Sequence, residues 1–225
     1  PQVALPVLKT QPILSLAAWI AEDKRQALKP CNVTGVYDEV PAPQQLQFLH
    51  QTFPKIQHLS LLYSPSEKVL PEVEALQKTA QQLGIYLQRL QVNQLGELHG
   101  LTKALDKKSQ AIFILKDHLV VSGIGAIVQA AKKRKIPVIS ADEGSVKEGA
   151  TWALGVREAQ TGERGAELAA QILTGKPVEA LPFQRMEAQD LCVFLNPRAF
   201  ENTPFSITEL EKGAQVGGYS VVKME

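Results

Sequence analysis

Several features that would indicate a particular class of protein are missing from the 225-residue sequence. Its charges nearly cancel, with 24 Lys and Arg residues against 23 Asp and Glu residues, so composition gives no argument for nucleic-acid binding. Two cysteines, Cys31 and Cys192, are too few for a disulfide-dense scaffold or a cysteine-based zinc site, and their contexts favour two unpaired thiols. The four histidines stand apart from one another, so we expect no metal site.

Long apolar runs and targeting signals are also missing. The longest apolar stretch, 119–131, is broken by Ser122, Gly123, Gly125 and Gln129, whereas a membrane-spanning helix needs about 20 mostly apolar residues. The chain begins at Pro1 without an initiator Met or a basic-then-apolar leader. We therefore expect a processed or truncated part of a longer gene product.

The sequence does contain a regular alternation of strand-like and helix-like segments. Predicted strands are 58–63, 85–92, 111–115, 136–140 and 191–195, and predicted helices are 44–53, 71–83, 96–108, 119–134 and 159–173. The strand AIFIL at 111–115 is apolar on both faces, as strands inside a parallel sheet are. The pattern predicts an α/β fold with a doubly wound parallel sheet. Strand-like segments near both ends of the chain are assigned to a second lobe.

Ligands of doubly wound sheets bind beyond the carboxyl ends of the strands. Three loops follow predicted strands in that position, 64–70, 116–119 and 141–149. Their candidate ligand-binding residues are Ser64, Ser66, Asp117, Asp142, Glu143 and Ser145. A carboxylate at this edge suits a ligand ammonium group, and a helix N-terminus suits a ligand carboxylate.

Each candidate also has a structural interpretation that the sequence leaves open. Ser64 and Glu67 have the spacing of a capping box, and Asp117 can cap the helix that follows it. The segment 142–145 can be an acidic loop that caps a helix from Ser145 onward. The basic run KKRK at 132–135 lies at a predicted helix end, where cations interact favourably with the helix dipole, and we interpret it as a solvated helix end.

Several stretches, taken in order, resemble the substrate-binding proteins of ABC transporters. They are NVTGVYDEVP at 32–41, LLYSPSEK at 61–68, IPVISADEGSVKEGATWALGV at 136–156, LTGKPVEALPF at 173–183 and LCVFLNPRA at 191–199. The resemblance runs from about residue 12 to about residue 200. Its most specific part is the SADEGSV segment, and the closest subgroup includes tryptophan- and tyrosine-type binders.

This resemblance implies a fold like that of type I periplasmic binding proteins, with two doubly wound lobes joined by a hinge. It assigns residues 1–35 to a remnant of lobe one, 36–157 to a complete lobe two and 158–225 to a return to lobe one, with hinge segments near 35–40 and 155–160. The family's opening strands have no counterpart here, so we expect a fragment. An incomplete lobe exposes apolar surface, which a second copy could cover in a homodimer.

The resemblance implies a solute-binding protein that works outside the cytoplasm, in the periplasm or anchored to lipid. Such a protein captures an amino acid or similar zwitterion, here an aromatic one, and delivers it to the membrane permease of an ABC transporter. Asp142 is then the acceptor for the ligand ammonium, and Trp19 either stacks on the ligand from lobe one or packs in the core. No cofactor and no enzymatic activity are implied.

Two other functions stay open at the level of sequence. Where family members usually have Asn-Pro and a Thr-Asp-Asn-Thr type segment, this chain has Ser64-Pro65 and 116–119 KDHL. These departures fit a degenerate member that serves as an interaction module and binds no small solute. An enzyme on the same sheet is the third hypothesis, but the sequence has no nucleophile-elbow, phosphate-loop or Cys-His motif.

Overall fold

The computed structural model describes residues 11–17, 32–201 and 203–224. The chain divides into two compact units. The small unit consists of Pro1–Glu39 and Val156–Asp190, and the large unit consists of Val40–Gly155 and Leu191–Glu225. The chain therefore passes from one unit to the other at 39–40, at 155–156 and again at 190–191.

Strands and helices alternate through most of the described residues. The strands are β1 (Ile13–Leu16), β2 (Val33–Val36), β3 (His58–Tyr63), β4 (Tyr86–Gln91), β5 (Ala111–Ile114), β6 (Val138–Ser140), β7 (Trp152–Val156), β8 (Leu191–Leu195) and β9 (Ser220–Lys223). The helices are α1 (Ala42–Thr52), α2 (Val69–Gln82), α3 (Leu101–Ala104), α4 (His118–Val121), α5 (Ile124–Arg134), α6 (Glu143–Lys147), α7 (Glu158–Leu173), α8 (Pro197–Phe200) and α9 (Ile207–Gly217). Short 3₁₀ turns occur at Leu95–Gly100, Val178–Ala180 and Ala188–Asp190.

The large unit is built on a seven-stranded sheet with the order β4-β3-β5-β6-β7-β8-β9. The strands from β4 to β7 pair in parallel, which confirms the predicted α/β fold with a parallel central sheet. Asn196, just after β8, donates its N–H to the carbonyl of Thr151, just before β7, at 3.0 Å. The strand β8 therefore runs opposite to β7, and β9 is parallel to β8. Every residue of β5 and β8 is buried, as their apolar sequences predict.

The direction of strand addition reverses within this sheet. From β3 the chain moves to β4 at one edge, and it then returns to place β5 on the other side of β3. Such a reversal lets neighbouring loops diverge and leaves a crevice beyond the carboxyl ends of the two strands. In this protein the reversal lies between β3 and β5.

Two predicted helices are interrupted in the structure. The segment predicted as one helix over 119–134 forms α4 and α5, separated at Ser122 and Gly123. A Cβ atom on Gly123 would lie 2.1 Å from a methyl carbon of Leu98, so close packing against the preceding turn requires glycine there. The helix predicted over 96–108 is a 3₁₀ turn followed by the short α3, consistent with the low helix propensity of Gly96 and Gly100.

The small unit contains the parallel pair β1 and β2, on which α7 packs. Leu16 lies so close to α7 that a Cβ atom on Gly165 would be 2.3 Å from its side chain. A core of Val36, Leu168 and Leu181 lies beneath this contact. Gln184 extends the pairing, because its N–H donates to the carbonyl of Gly35 at 2.9 Å.

The division of the chain differs from the predicted one after residue 190. We expected all of 158–225 to return to lobe one, but 191–225 lies in the large unit. The reason is that β8 and β9 hydrogen-bond into the large sheet, which no local sequence pattern reveals. The crossings at 39–40 and 155–156 fall inside the predicted hinge segments, whereas the crossing at 190–191 was not predicted.

Asp190 ends the last segment of the small unit and is buried, with 4% of its surface exposed. Its carboxylate accepts hydrogen bonds from Gln160 Nε2 at 2.7 Å, Arg164 Nη2 at 2.8 Å and the Glu187 N–H at 3.0 Å. Burial acts to raise the pKa of Asp190. The hydrogen bonds from Glu187 and Arg164 outweigh it, together with the Arg164 charge, so this pKa lies below its ordinary value.

The Asp190→Asn variant is expected to lose about 1–2 kcal/mol of unfolding free energy at pH 7, because it loses charge-assisted hydrogen bonds. Since the pKa of Asp190 is lower in the folded than in the unfolded protein, this contribution is complete above the unfolded pKa. It disappears as the pH falls through the folded pKa. Urea unfolding of parent and variant between pH 7 and pH 3 should therefore give a difference that shrinks below about pH 4.

Glu163, an exposed carboxylate on α7 next to Arg164 in the sequence, provides the matched control. Glu163→Gln should change the unfolding free energy by less than about 0.5 kcal/mol at any of these pH values. A difference between parent and Asp190→Asn that stays constant down to pH 3 would contradict the assignment.

Candidate functional site

Ser64, Asp117 and Asp142 lie at one edge of the large sheet. They follow β3, β5 and β6, which are consecutive in the sheet and parallel to one another. We call this edge, with its loops 64–68, 116–117 and 141–145, the carboxyl-end edge. Ser64 and Asp117 flank the point where the strand order reverses.

Asp117 is buried, with 2% of its surface exposed, and joins the loops that follow β3 and β5. One carboxylate oxygen accepts from the hydroxyl of Ser64 at 2.9 Å and from the N–H of Leu119 at 3.1 Å. The other oxygen accepts from the backbone N–H of Ser64. Asp117 therefore caps α4, as its structural interpretation proposed, and it also fixes the β3 loop. Both donors of Ser64 are used in these bonds.

A second bond links the same two loops. The Lys68 amino group donates to the carbonyl of Lys116 at 3.2 Å. Ser66, rather than Ser64, begins the turn into α2, because its carbonyl accepts from Val69 and Leu70 at 3.0 Å each. Its hydroxyl oxygen lies 3.3 Å from the N–H of Val69 and accepts that hydrogen bond. The hydroxyl proton of Ser66 can still be donated to another group.

Asp142 is half-buried and caps α6. Its two oxygens accept from the N–H and from the hydroxyl of Ser145, each at 2.8 Å. Ser145 is itself buried, so these bonds fix the direction of the carboxylate. Each carboxylate oxygen keeps a second lone pair, so Asp142 can accept a further donor while it caps the helix.

Glu143 faces the next turn of α6. Its carboxylate forms an ion pair with Lys147 at 2.8 Å, in the i,i+4 arrangement. The loops of the carboxyl-end edge and α6 therefore carry both signs of charge, from three acids, Asp117, Asp142 and Glu143, and three lysines, Lys68, Lys116 and Lys147. Mixed charge suits a ligand that has both an ammonium and a carboxylate group.

The sequence contains two tryptophans, Trp19 and Trp152. Trp19 falls outside the described residues, so its stacking role stays a prediction. Trp152 is fully buried, and its ring makes an edge contact with Phe48 at 5.6 Å between centroids. Trp152 is therefore part of the core of the large unit.

Sequence reasoning missed the direct bond between Ser64 and Asp117, as well as the Lys68 bond to Lys116. Both loops could be recognised because they follow apolar strands, but their contact depends on β3 and β5 being neighbours. Within the described ranges no three His, Cys, Asp or Glu side chains are grouped to hold a metal ion. Among the described residues, no helix is long and apolar enough to cross a bilayer.

Comparisons with known proteins relate the chain to one family. A family model described as ABC transporter substrate binding protein matches residues 3–212. An uncharacterized protein of Rickettsia prowazekii is 40% identical over 168 residues, which are 75% of this chain and 54% of that protein. The tyrosine-binding protein of Clostridioides difficile is 26% identical over 165 residues, 72% of this chain and 47% of that protein. The chain thus spans about half the length of the curated relatives that it matches.

A solved structure gives the same picture of the fold. The crystal structure of a conserved domain protein from Vibrio cholerae superimposes with a TM-score of 0.82 at 26% sequence identity. The match covers 98% of this chain and 75% of the Vibrio chain.

Proposed function

The chain belongs to the ABC transporter substrate-binding protein family, and on that basis we propose that it captures an amino acid or similar small zwitterion for import. Its fold is that of the periplasmic-binding-protein-like members of this family. The observation that carries the proposal is Asp142, a half-buried carboxylate held in one direction by Ser145 with acceptor capacity left over. A relative that is named for binding tyrosine supports an aromatic amino acid as the ligand.

In this proposal the residues of the carboxyl-end edge have two kinds of role. Asp142 accepts the ligand ammonium, and the Ser66 hydroxyl donates to the ligand carboxylate. Ser64, Asp117 and Ser145 position these groups, because their own donors and acceptors are used in bonds within the edge. Glu143 acts through its pair with Lys147 and stabilises α6.

We also propose that the protein works outside the cytoplasm and hands its ligand to the membrane permease of an ABC transporter. The segments that connect the two units, at 39–40, 155–156 and 190–191, are the proposed hinge. The homodimer that we inferred from an incomplete lobe remains a proposal, which sedimentation of the protein can test.

One observation favours a second candidate function, an interaction module that binds no small solute. Ser64 and Asp117 satisfy each other at the strand reversal, so the polar groups best placed for a ligand are already paired. The two functions differ in whether a free amino acid binds at all.

The test is a binding panel. We expect one or a few of the twenty amino acids, with aromatic ones among them, to bind the purified protein in titration calorimetry. At a ligand concentration 100 times Kd, such binding stabilises the protein by about 2.7 kcal/mol, which a thermal melt detects. The methyl ester and the N-acetyl derivative of the same amino acid should bind at least tenfold more weakly, because each lacks one of the two charges.

If no amino acid binds and native mass spectrometry finds no small molecule in the protein as purified, the solute-binding proposal fails and the interaction module replaces it. Equal binding of the two blocked derivatives would show that the ligand is not recognised as a zwitterion.

A further inference from the structure

A cavity of about 550 Å³ lies in the large unit, away from the carboxyl-end edge. Its lining includes Val138, the first residue of β6, and Thr151, just before β7. Arg198 and Ala199, which follow β8, also line it, because β8 runs opposite to β7. The cavity therefore sits at the amino ends of β6 and β7, whereas Asp142 follows the carboxyl end of β6. We call it the amino-end cavity.

The floor of the amino-end cavity is apolar. It is formed by Val128 and Ala131 of α5, and by Ile136 and Val138 where the chain enters β6, all of them buried. One polar group, the hydroxyl of Thr151, adjoins this floor and accepts the N–H of Val138 at 3.0 Å. Its own proton can still be donated.

The rim of the cavity is cationic. Lys132, Lys135 and Arg198 line it, together with the single acid Glu201. All four side chains are exposed. None of the three cations forms an ion pair with another described residue. Three positive charges against one negative charge leave a net charge of +2 around an apolar floor.

The four basic residues at 132–135 differ in their relation to the amino-end cavity. The guanidinium of Arg134 donates to the carbonyls of Leu105 and Asp106, at 3.3 and 2.7 Å, so it is a structural group. Lys132 and Lys135 line the cavity, and Lys133 does not. A solvated helix end alone therefore does not explain why Lys132 and Lys135 line a cavity.

Lys135 has an unusual backbone. It ends α5 in the left-handed conformation, with φ 54° and ψ 40°. The N–H of Ile136 reaches back to the carbonyl of Ala131 at 3.2 Å and closes the helix end. Glycine is the usual residue at this position, because a side chain is strained there. In this chain the position carries a lysine at the cavity rim.

We propose that the amino-end cavity binds a small amphipathic anion, a carboxylate or phosphate group attached to an apolar body. The volume is within the range of about 300–1,000 Å³ that is usual for small-ligand pockets. The apolar floor takes the body, and Lys132, Lys135 and Arg198 take the anionic group. The site is separate from the proposed amino acid site and does not depend on it.

Titration calorimetry of the full chain with octanoate, octyl phosphate and octyltrimethylammonium tests this proposal. The two anions should bind and the cation should not, and the ratio between the anions shows whether a carboxylate or a phosphate is preferred. Lys135→Glu should weaken anion binding about tenfold. Lys133→Glu makes the same change of charge in the same run but outside the cavity, and it should change binding less than twofold.

Lys135→Gly distinguishes a binding role from a folding role. It removes the rim cation and relieves the left-handed backbone, so anion binding should weaken about fivefold while the melting temperature without ligand stays the same or rises. Asp142→Asn should leave anion binding unchanged. The proposal is overturned if no anion binds at millimolar concentration, if the cation binds equally, or if Lys133→Glu weakens binding as much as Lys135→Glu.

Discussion

Asp117→Ala is expected to lower the free energy of unfolding by about 3 kcal/mol. The substitution removes a buried carboxylate and leaves three donors without their acceptor, the N–H and hydroxyl of Ser64 and the N–H of Leu119. Hydrogen bonds to charged groups contribute about 1.5–3 kcal/mol each, and buried donors left unpaired cost further free energy. The loss should lower the melting temperature by about 6–12 °C in a protein of this size.

Thermal and urea unfolding without ligand measure this effect. Glu143→Ala is the matched control, because it removes a carboxylate near the same edge that has only an i,i+4 ion pair. It should change the unfolding free energy by less than about 0.5 kcal/mol. If Asp117→Ala were no less stable than Glu143→Ala, the link between the β3 and β5 loops would not contribute to stability.

Asp142→Asn is expected to weaken amino acid binding by about 10- to 150-fold, the equivalent of a lost charge-assisted contact of about 1.5–3 kcal/mol. Asparagine is nearly isosteric with aspartate and is also a favoured N-cap residue. The amide oxygen of the variant can still accept the N–H of Ser145 and cap α6, whereas the amide nitrogen cannot accept the hydroxyl of Ser145, so the variant loses the charge and one acceptor atom. Calorimetry with L-tyrosine and L-tryptophan measures the affinity, and melting without ligand should change little.

Asp142→Ala separates the cap from the binding role. It should lose the same affinity and, in addition, about 0.5–2 kcal/mol of stability through the lost cap. If Asp142→Asn binds as tightly as the parent while Asp142→Ala is destabilised, then Asp142 is a helix cap and the ligand acceptor must be sought elsewhere.

Much of the secondary structure follows from local pattern. The segments 58–63 and 191–195 were predicted as strands, and their bounds are those of β3 and β8. Their apolar composition identifies them as strands without any knowledge of tertiary contacts. The strand β2, VTGV, was not among the predicted strands. A Cβ atom on Gly35 would lie 2.1 Å from the carbonyl oxygen of Ser15, so this glycine serves the close pairing of β1 and β2.

The helix α9 was missed for a similar reason. Gly213 and Gly217 lower its helix propensity, and no helix was predicted after residue 173. In the structure a Cβ atom on Gly213 would lie 2.3 Å from the hydroxyl of Thr52 at the end of α1. The close contact between α9 and α1 requires glycine at position 213. Such a contact between distant segments cannot be predicted from the local sequence pattern.

For the candidate site, too, the positions of residues could be predicted but their contacts could not. That Ser64, Asp117 and Asp142 follow strands could be predicted, since each comes directly after an apolar segment. That Asp117 binds Ser64 could not, because the strand order that makes β3 and β5 neighbours is a property of the whole sheet. The sequence therefore locates the loops of a site but leaves open which of their polar groups are paired with one another.

The three crossings between the units affect the protein while it is being synthesised. The strand β7 ends at Val156, but its neighbour β8 is the later segment Leu191–Leu195. At about 5–20 residues per second, the ribosome needs about 2–8 s to add residues 157–195. During that interval β7 is an unpaired edge of a nascent sheet, which is the kind of surface that pairs with other chains. The growing chain thus carries an exposed sheet edge while residues 156–190, the second segment of its small unit, are being translated.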